Sequence, residues 1–278
     1  MIGFGRRHPI LSFFLLAWAF SWLAMVPLAL AGPGVISPLP GWLHYLSAYG
    51  PLLSALVVIG ATEGRPGWRG WWSRLTQGRA GLWPWAVAVS PLVLYGVAAV
   101  AERMAQGAWP DPRRLGRLNF LPEIGLWSLP LWLLNSGLGE EAGWRGYALP
   151  ALRRRHGPRA ASFAIACGWM IWHIPAFFYL PSYARFGVGD LVGFFLGVLS
   201  GAYLLTWLSI ASRGGALLPI VWHGLFNFTT APPSSGGLVA AVVSTSAMVM
   251  GILAFLALAR DRAERAARSP LARRRPRP

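Results

Sequence analysis

The chain has 278 residues, of which 55% are hydrophobic and 12% are charged. Ordinary soluble domains carry roughly 25% charged residues, so this composition excludes most water-soluble folds and is typical of a polytopic helical membrane protein. The formal charge is +16, and all 25 Lys and Arg residues are arginines. A nucleic-acid-binding protein concentrates such charge on a soluble module, whereas these arginines follow the ends of apolar runs. The sequence therefore predicts no nucleic-acid partner.

Apolar runs of about 20 residues predict an all-α fold with about eight membrane-spanning helices. We expect residues 1–260 to form one membrane-embedded domain and residues 261–278 to form a basic, flexible cytoplasmic tail. Segment 102–121 carries four arginines outside the general pattern, so the span count depends most on this region. In chain order the predicted spans lie near residues 9–31, 43–62, 81–101, 122–152, 159–180, 187–212, 214–230 and 236–259.

The placement of the arginines orients these spans through the positive-inside rule. Arginines precede the first span, separate spans two and three as well as spans four and five, and fill the tail. On the opposite side, the loops 32–42 and 231–235 carry no formal charge. We therefore expect a multi-pass protein of the cell (plasma) membrane with both termini in the cytoplasm.

The segment between the second and third spans alternates tryptophan with arginine. This pattern predicts a short amphipathic helix that lies on the membrane surface. Guanidinium groups bind phosphates through paired donors, so we expect anionic lipids as partners. The residues concerned are Trp68, Trp71, Trp72 and Leu75 together with Arg65, Arg69, Arg74 and Arg79.

Four ionisable side chains lie deep inside apolar runs: Glu140, Glu141, His173 and His223. An ionisable side chain at the centre of a membrane helix costs about 2.5 to 3.5 kcal/mol, so its presence indicates a function. At roughly 1.5 Å of rise per residue, all four lie at a similar depth in the cytoplasmic half of three different helices. We therefore expect them to form one shared buried site.

The spacing within each motif is consistent with such a site. Glu141 and Arg145 stand at i and i+4 with the acid first, which favours an ion pair. Glu140 is rotated by about 100°, so we expect it to point into a cavity and to bind water or a metal. His223 and Asn227 have the same spacing, which places an amide donor beside an imidazole where an oxyanion could develop.

Two sets of glycines predict close approaches between helices. Gly139, Gly143 and Gly146 remove side chains around the acids, so another backbone or a substrate can come near. On the sixth span a small-residue stripe predicts tight helix packing. The stripe consists of Gly193, Gly197 and Gly201.

Three motifs, in this order, resemble those of the CPBP family of intramembrane proteases, which groups CAAX prenyl endopeptidases with bacteriocin-processing enzymes. Residues 140–145 read EEAGWR and resemble the family's EExxxR motif. Residues 169–173 read WMIWH and resemble FxxxH, with Trp169 at the position where Phe is commoner. Residues 223–227 read HGLFN and resemble HxxxN, and residues 50–56, GPLLSAL, resemble an early GPLLxAL segment. The resemblance covers about residues 50–230.

The resemblance implies eight helices around a conical cavity that opens to the cytoplasm and to lipid. It implies an intramembrane endopeptidase that cleaves membrane-associated peptides or proteins, with prenylated or lipidated substrates as one possibility. By matching position, Glu140 would activate the attacking water with help from His173. His223 and Asn227 would stabilise the oxyanion. The second acid and the arginine of the first motif would hold that motif in place. The implied catalytic set is Glu140, Glu141, Arg145, His173, His223 and Asn227.

The family name also implies a metal. Carboxylate and imidazole ligands with one open position suit catalytic zinc, which Glu140, His173 and His223 would hold. A metal-free mechanism, in which Glu140 and His173 alone polarise the water, is the alternative.

Other functions remain alternatives at this point. The sequence lacks HExxH, which argues against a site-2 zinc protease. Residues 187–190, GVGD, imitate the GxGD motif of presenilin-like aspartyl proteases, but Asp111 and Asp261 lie outside the spans. A proton-coupled transporter could use the acids and histidines as a relay, and a non-catalytic scaffold could keep them for stability. Transporters usually show two related halves, which this sequence lacks, so an endopeptidase is favoured.

Overall fold

The computed structural model describes residues 6–32, 34–230 and 238–268. These residues are helical or irregular and contain no strand, which confirms the all-α prediction. The helices are α1 (Pro9–Ala31), α2 (Gly50–Thr62, after the turns Leu43–Leu46 and Ser47–Tyr49), α3 (Gly64–Thr76), α4 (Leu82–Gln106), α5 (residues 129–153), α6 (Pro158–His173, followed by the turn Ile174–Phe178), α7 (Val188–Ala211), α8 (Leu217–Thr230) and α9 (Leu238–Arg268).

Six stretches within the described residues are long and apolar enough to cross a membrane. They are Pro9–Ala31, Leu43–Thr62, Leu82–Gln106, Pro158–Phe178, Val188–Ala211 and Ala241–Ala259, and they coincide with six of the eight predicted spans. The chain is therefore an integral membrane protein. The other two predicted spans correspond to α5 and α8. Because α8 has only 14 residues and α5 is irregular, the count of eight stays a prediction.

The arginine-rich segment 102–121 consists of the end of α4 and a loop that folds back onto the helices. Helix α4 ends at Gln106 and is followed by Gly107, whose φ of 75° turns the chain. Further along, the backbone N–H of Gly116 donates to the carbonyl of Phe228 (3.1 Å). The indole of Trp132 in turn donates to the carbonyl of Gly116 (2.8 Å). These contacts anchor the loop to α5 and α8.

Helix α5 lies in the middle of the molecule. Apolar side chains from α1 through α9 form one large buried core. Within this core α5 packs against both α2 and α8. The ring of Phe13 in α1 meets the edge of Trp144 in α5, with centroids 5.5 Å apart. The helix that carries the two central acids is therefore enclosed by its neighbours.

Two π-helical segments interrupt α5 near the acids. One ends at Glu140, and the other begins three residues after Glu141. Residues 133–140 and 144–148 form π-helical turns, which are rare and occur frequently at functional sites. Neighbouring backbones come very close here. A methyl group added to Gly139 would lie 2.8 Å from the carbonyl oxygen of Ala48, and one added to Gly143 would lie 2.5 Å from Pro51. The close approach predicted beside the acids is therefore confirmed.

The glycine stripe on α7 does not make the tight contact that its pattern predicted. Nothing among the described residues lies within 4 Å of a methyl group placed on Gly193 or Gly197, and at Gly201 the nearest atom is 3.9 Å away. The close contact between α7 and α9 comes from Gly251 instead, where an added methyl group would lie 2.4 Å from the carbonyl oxygen of Ser200. The prediction was wrong because the small residue that matters lies on the opposing helix.

Helix α3 confirms the helix predicted between the second and third spans, and it is hydrogen-bonded to α5. The Trp71 indole donates to the carbonyl of Ala142 (2.9 Å). The Arg74 guanidinium donates to the carbonyl of Gly146 (2.7 Å). The opposite face of α3 is exposed and carries Arg65, Arg69 and Trp72. One face of α3 thus binds the helix of the acids, and the other is free to meet a surface.

The GVGD segment has a structural role. The Asp190 carboxylate accepts a hydrogen bond from the backbone N–H of Gly187 (2.9 Å) at the start of α7. Such a contact satisfies a backbone donor at a helix N-terminus. The segment is a helix cap in this fold.

The predicted boundaries near the end of the chain are only partly described. Helix α9 continues to Arg268, so the boundary expected at residue 261 falls inside a helix, and residues 261–268 are helical. The loop 231–235 and residues 269–278 lie outside the described residues. The assignment of residues 1–260 to a single domain stays a prediction.

We expect Gly143→Ala to destabilise the protein by about 1 to 3 kcal/mol, because its methyl group overlaps the backbone at Pro51. The measurement is the thermal unfolding midpoint of the full chain in detergent. Gly193→Ala, at an open helical position, is the matched control and should leave the midpoint unchanged or raised. Equal midpoints for Gly143→Ala and the wild type would contradict the close approach.

Candidate active site

The Glu141 carboxylate lies at the centre of the predicted site. Arg145 donates to its Oε1 atom (2.8 Å), and the Nδ1 atom of His223 lies 2.9 Å from the same oxygen. The side chains of Glu141 and Arg145 are completely buried. The ion pair predicted from the i, i+4 spacing is therefore confirmed. It also joins α5 to α8, because His223 takes part in it.

This pair is buried at a high energetic cost. Removing two charges from water costs several kcal/mol per ion, which only close attraction and further hydrogen bonds offset. Arg145 also approaches the carbonyl of Ala202 on α7 (3.5 Å). Glu141 Oε2 and Arg145 Nε are buried without a hydrogen-bond partner among the described residues. Loss of either partner would therefore leave the other charge uncompensated.

Glu140 lies beside this pair and is 5% exposed. Its Oε2 atom accepts a hydrogen bond from the Trp169 indole (2.8 Å), which links α5 to α6. This contact was not predicted from the sequence, where Trp169 had no function beyond its place in the second motif. A signal was present, since a buried indole N–H usually finds a partner and Trp169 stands where Phe is commoner.

His173 and Asn227 complete the cluster from α6 and α8. The Nδ1 atom of His173 lies 2.8 Å from the carbonyl oxygen of Trp169, one turn earlier in the same helix. Its ring is 5.8 Å from the Trp169 ring, and no hydrogen bond joins it to Glu140 among the described residues. The amide nitrogen of Asn227 lies 3.5 Å from His223 Nε2. All six predicted residues are thus joined directly or through Trp169.

The three predicted zinc ligands are not arranged around one point. No group of three His, Cys, Asp or Glu side chains in the described part of the chain is placed to hold a metal ion together. His223 and His173 both use Nδ1 for contacts with protein oxygens, so a metal could reach these rings only through Nε2. Zinc at these residues therefore stays a prediction.

A cavity of about 270 Å³, lined mainly by aromatic and aliphatic side chains, includes Asn135 of α5, five residues before Glu140. Asn135 in its wall donates to the carbonyl of Tyr45 (2.6 Å). Another wall residue, Tyr49, packs next to Gly139, the residue that precedes Glu140. Several wall side chains are partly exposed, so the cavity is open. Its lining consists of Trp42, Tyr45, Leu46, Tyr49, Leu118, Phe120, Leu131, Leu134 and Asn135.

We expect Arg145→Met to destabilise the protein by roughly 3 to 5 kcal/mol, because the Glu141 charge then stays buried without its guanidinium partner. Thermal unfolding in detergent measures the effect. The double variant Glu141→Gln/Arg145→Met removes both charges and should recover much of the loss.

The surface pair of Arg113 and Asp111 provides the matched control. Arg113→Gln removes an arginine from an exposed ion pair, so the unfolding midpoint should not change. A midpoint for Arg145→Met equal to that of the wild type would show that the buried pair does not constrain the fold.

Comparison with known proteins finds similarity in the part of the chain that carries these residues. Residues 122–229 match the family model described as type II CAAX prenyl endopeptidase Rce1-like. CAAX prenyl protease 2 of Methanococcus maripaludis is 32% identical over 113 residues, which are 39% of this chain and 40% of that protein. The chain thus matches well under half of this curated relative's length. The matched segment contains all three motifs and every residue of the cluster. Residues 122–229 are thus similar to the Rce1-like CAAX prenyl endopeptidase family over about two fifths of the chain.

Proposed function

We propose that this protein is an intramembrane endopeptidase that hydrolyses peptide bonds of membrane-associated substrates with a water activated by Glu140. One observation carries the proposal: the Glu140 carboxylate is buried against the Trp169 indole, whose ring also contacts the rings of His173 and His223, on helices of an integral membrane protein. A buried carboxylate in the same cluster as two histidines is suited to general acid–base catalysis. The match of the same segment to a peptidase family supports this chemistry.

In the proposed reaction Glu140 is the general base. Its Oε2 atom is held by Trp169, while no hydrogen bond from the described residues reaches Oε1, which is therefore available to a water. The carboxylate takes one proton from this water as the oxygen attacks the substrate carbonyl, and it returns the proton to the leaving amine. His173, whose ring lies 5.8 Å from the Trp169 ring, orients the water.

His223 and Asn227 stabilise the oxyanion of the tetrahedral intermediate. With Nδ1–H donated to Glu141, the Nε2 atom of His223 faces the Asn227 amide. For both groups to donate, the His223 ring carries a second proton on Nε2 that it has taken from solvent before the reaction, with its charge balanced by the buried Glu141 carboxylate. The Nε2–H and the amide N–H then both donate to the oxyanion. Arg145 holds Glu141 in place.

The substrate that fits best has a large apolar group next to the scissile bond. The cavity beside Gly139 is lined by aromatic and aliphatic side chains, with Asn135 as its polar member. Pockets of this kind bind apolar groups and orient them through a few polar contacts. The curated relative is named for a CAAX prenyl substrate, which also supports a prenylated or otherwise lipidated peptide.

We expect Glu140→Gln to lower kcat by about 10²- to 10⁴-fold, because an amide cannot accept the proton of the attacking water. Purified protein in vesicles is incubated with peptides whose cysteine is farnesylated, geranylgeranylated, acylated or unmodified, and mass spectrometry detects the products. Glu123→Gln is the matched control, since Glu123 pairs with Arg117 at the surface of the same matched segment. The control should cleave as the wild type does.

The same vesicles separate the alternatives. Proton flux without peptide cleavage would overturn the proposal in favour of a relay, and the absence of both would favour a scaffold. Elemental analysis measures the zinc content of the wild-type preparation and of the His173→Ala and His223→Ala variants. Zinc that is present in the wild type and lost in both variants would confirm the metal prediction, whereas an active zinc-free enzyme would contradict it.

We further propose that the exposed face of α3 binds anionic lipid at the cytoplasmic surface of the plasma membrane, with both termini on that side. Arg65 and Arg69 project from the face opposite to Trp71 and Leu75, which are buried against the core. Juxtamembrane arginines contribute about 1 kcal/mol each to binding of an anionic surface. Charge and amphipathicity together favour lipid headgroups as the partner.

Arg65→Gln/Arg69→Gln should weaken the binding of phosphatidylglycerol by about 30-fold, which corresponds to about 1 kcal/mol for each arginine. The measurement is the rise of the unfolding midpoint as the lipid is titrated into detergent-solubilised protein, with phosphatidylcholine as the neutral reference. Arg185→Gln, at an exposed arginine on the predicted opposite side, is the control. An equal response of the double variant and the wild type would contradict the proposal.

A further inference from the structure

We infer that Trp169 is the positioning residue of Glu140: its indole N–H fixes the orientation of the carboxylate, and its ring holds both histidines around it. This inference rests on the proposed function, since it concerns the base of that reaction. It goes further because it assigns a role to a side chain for which the motif predicts only an aromatic ring.

Trp169 contacts four of the six residues of the cluster. Its Nε1 atom donates to Glu140 Oε2 at 2.8 Å. Its ring meets the His223 ring edge to face, with centroids 5.2 Å apart, and lies 5.8 Å from the His173 ring. The guanidinium carbon of Arg145 lies 5.4 Å from the ring centroid. The indole therefore stands between α5 and α8 and touches both of them.

The N–H is the feature that distinguishes this side chain from phenylalanine. An indole nitrogen donates one hydrogen bond and accepts none, so beside a carboxylate it can only favour the charged acceptor. A single donor on Oε2 also sets the rotation of the carboxylate and thereby the direction of Oε1. A phenylalanine at position 169 would fill similar space but would leave Glu140 free to rotate.

Burial alone does not bring an indole onto an acid in this protein. The indole nitrogens of Trp144 and Trp222 are also buried, and neither has a hydrogen-bond partner among the described residues. The indole of Trp18 is satisfied by the carbonyl of Gly168 (2.9 Å). Trp169 is 7% exposed and donates to a carboxylate. Its contact with Glu140 is therefore a specific arrangement and not a general property of buried tryptophans here.

The test compares Trp169→Phe with Trp18→Phe on the substrate that the wild-type protein cleaves. We expect Trp169→Phe to lower kcat by about 10- to 100-fold with KM unchanged, the effect of losing one hydrogen bond to a charged group. Trp18→Phe removes an indole hydrogen bond to the carbonyl of Gly168, the residue that precedes Trp169 in α6. Because this bond does not involve Glu140, the variant should keep the wild-type kcat. An equal loss of kcat in both variants would show a general weakening of α6 and would contradict the inference.

A second variant separates the hydrogen bond from ring size. β-(3-benzothienyl)alanine, introduced at position 169 by stop-codon suppression, keeps the bicyclic shape and replaces N–H with sulfur. If the hydrogen bond positions Glu140, this isostere loses as much kcat as Trp169→Phe. A fully active isostere would overturn the inference and leave Trp169 as a packing residue.

A measurement that needs no activity completes the test. In a double-mutant cycle of Trp169→Phe with Glu140→Leu, the unfolding free energies of the full chain should show a stabilising coupling between the two side chains. Zero coupling would overturn the inference. If the wild-type protein cleaves no substrate, the proposed function fails, and this coupling alone decides whether the indole holds the carboxylate. If Glu140→Gln is inactive and Trp169→Phe is fully active, only the inference fails.

Discussion

The negative charge of Glu141, buried and shared between Arg145 and His223, is the constraint on which the rest of the structure depends. A carboxylate so far from water is tolerated only where cationic and polar groups meet it at hydrogen-bond distance. That requirement fixes the distance between α5 and α8 and the rotation of the His223 ring. Glu140, one residue earlier, is then turned toward α6, where the Trp169 indole meets it. Adjacent acids thus occupy two different environments within one helix.

The irregular course of α5 is the second part of this arrangement. A regular helix of 25 residues with side chains all round would keep its neighbours about 8 to 10 Å away. Glycines at 139 and 143 let the backbone near Ala48 and Pro51 come into direct contact instead. In the two π-helical segments near the acids, backbone hydrogen bonds join residues five apart and not four apart as in a regular α-helix. The acids are therefore held by backbone contacts as well as by side chains.

Much of this could be predicted from the sequence, because apolar run length and i, i+4 spacing are local properties. Six spans, the ion pair of Glu141 and Arg145 and the close approach at Gly139 and Gly143 were predicted in this way. Contacts between helices are not encoded in local spacing. For that reason the hydrogen bond from Trp169 to Glu140 was not predicted. The tight contact of α7 was likewise predicted at the wrong glycines, since the glycine that makes it lies on α9.

Because of the backbone contacts of α5, residues 122–229 depend on other parts of the chain for their structure. Residues 122–229 contain every motif, yet Gly139 and Gly143 are covered by the chain at residues 48–51, and the carbonyls of Ala142 and Gly146 are bound by α3. An excised 122–229 fragment would expose these surfaces and lose two hydrogen bonds at the acids. The motifs of this protein therefore keep their geometry only together with the start of α2 and with α3, which pack against them.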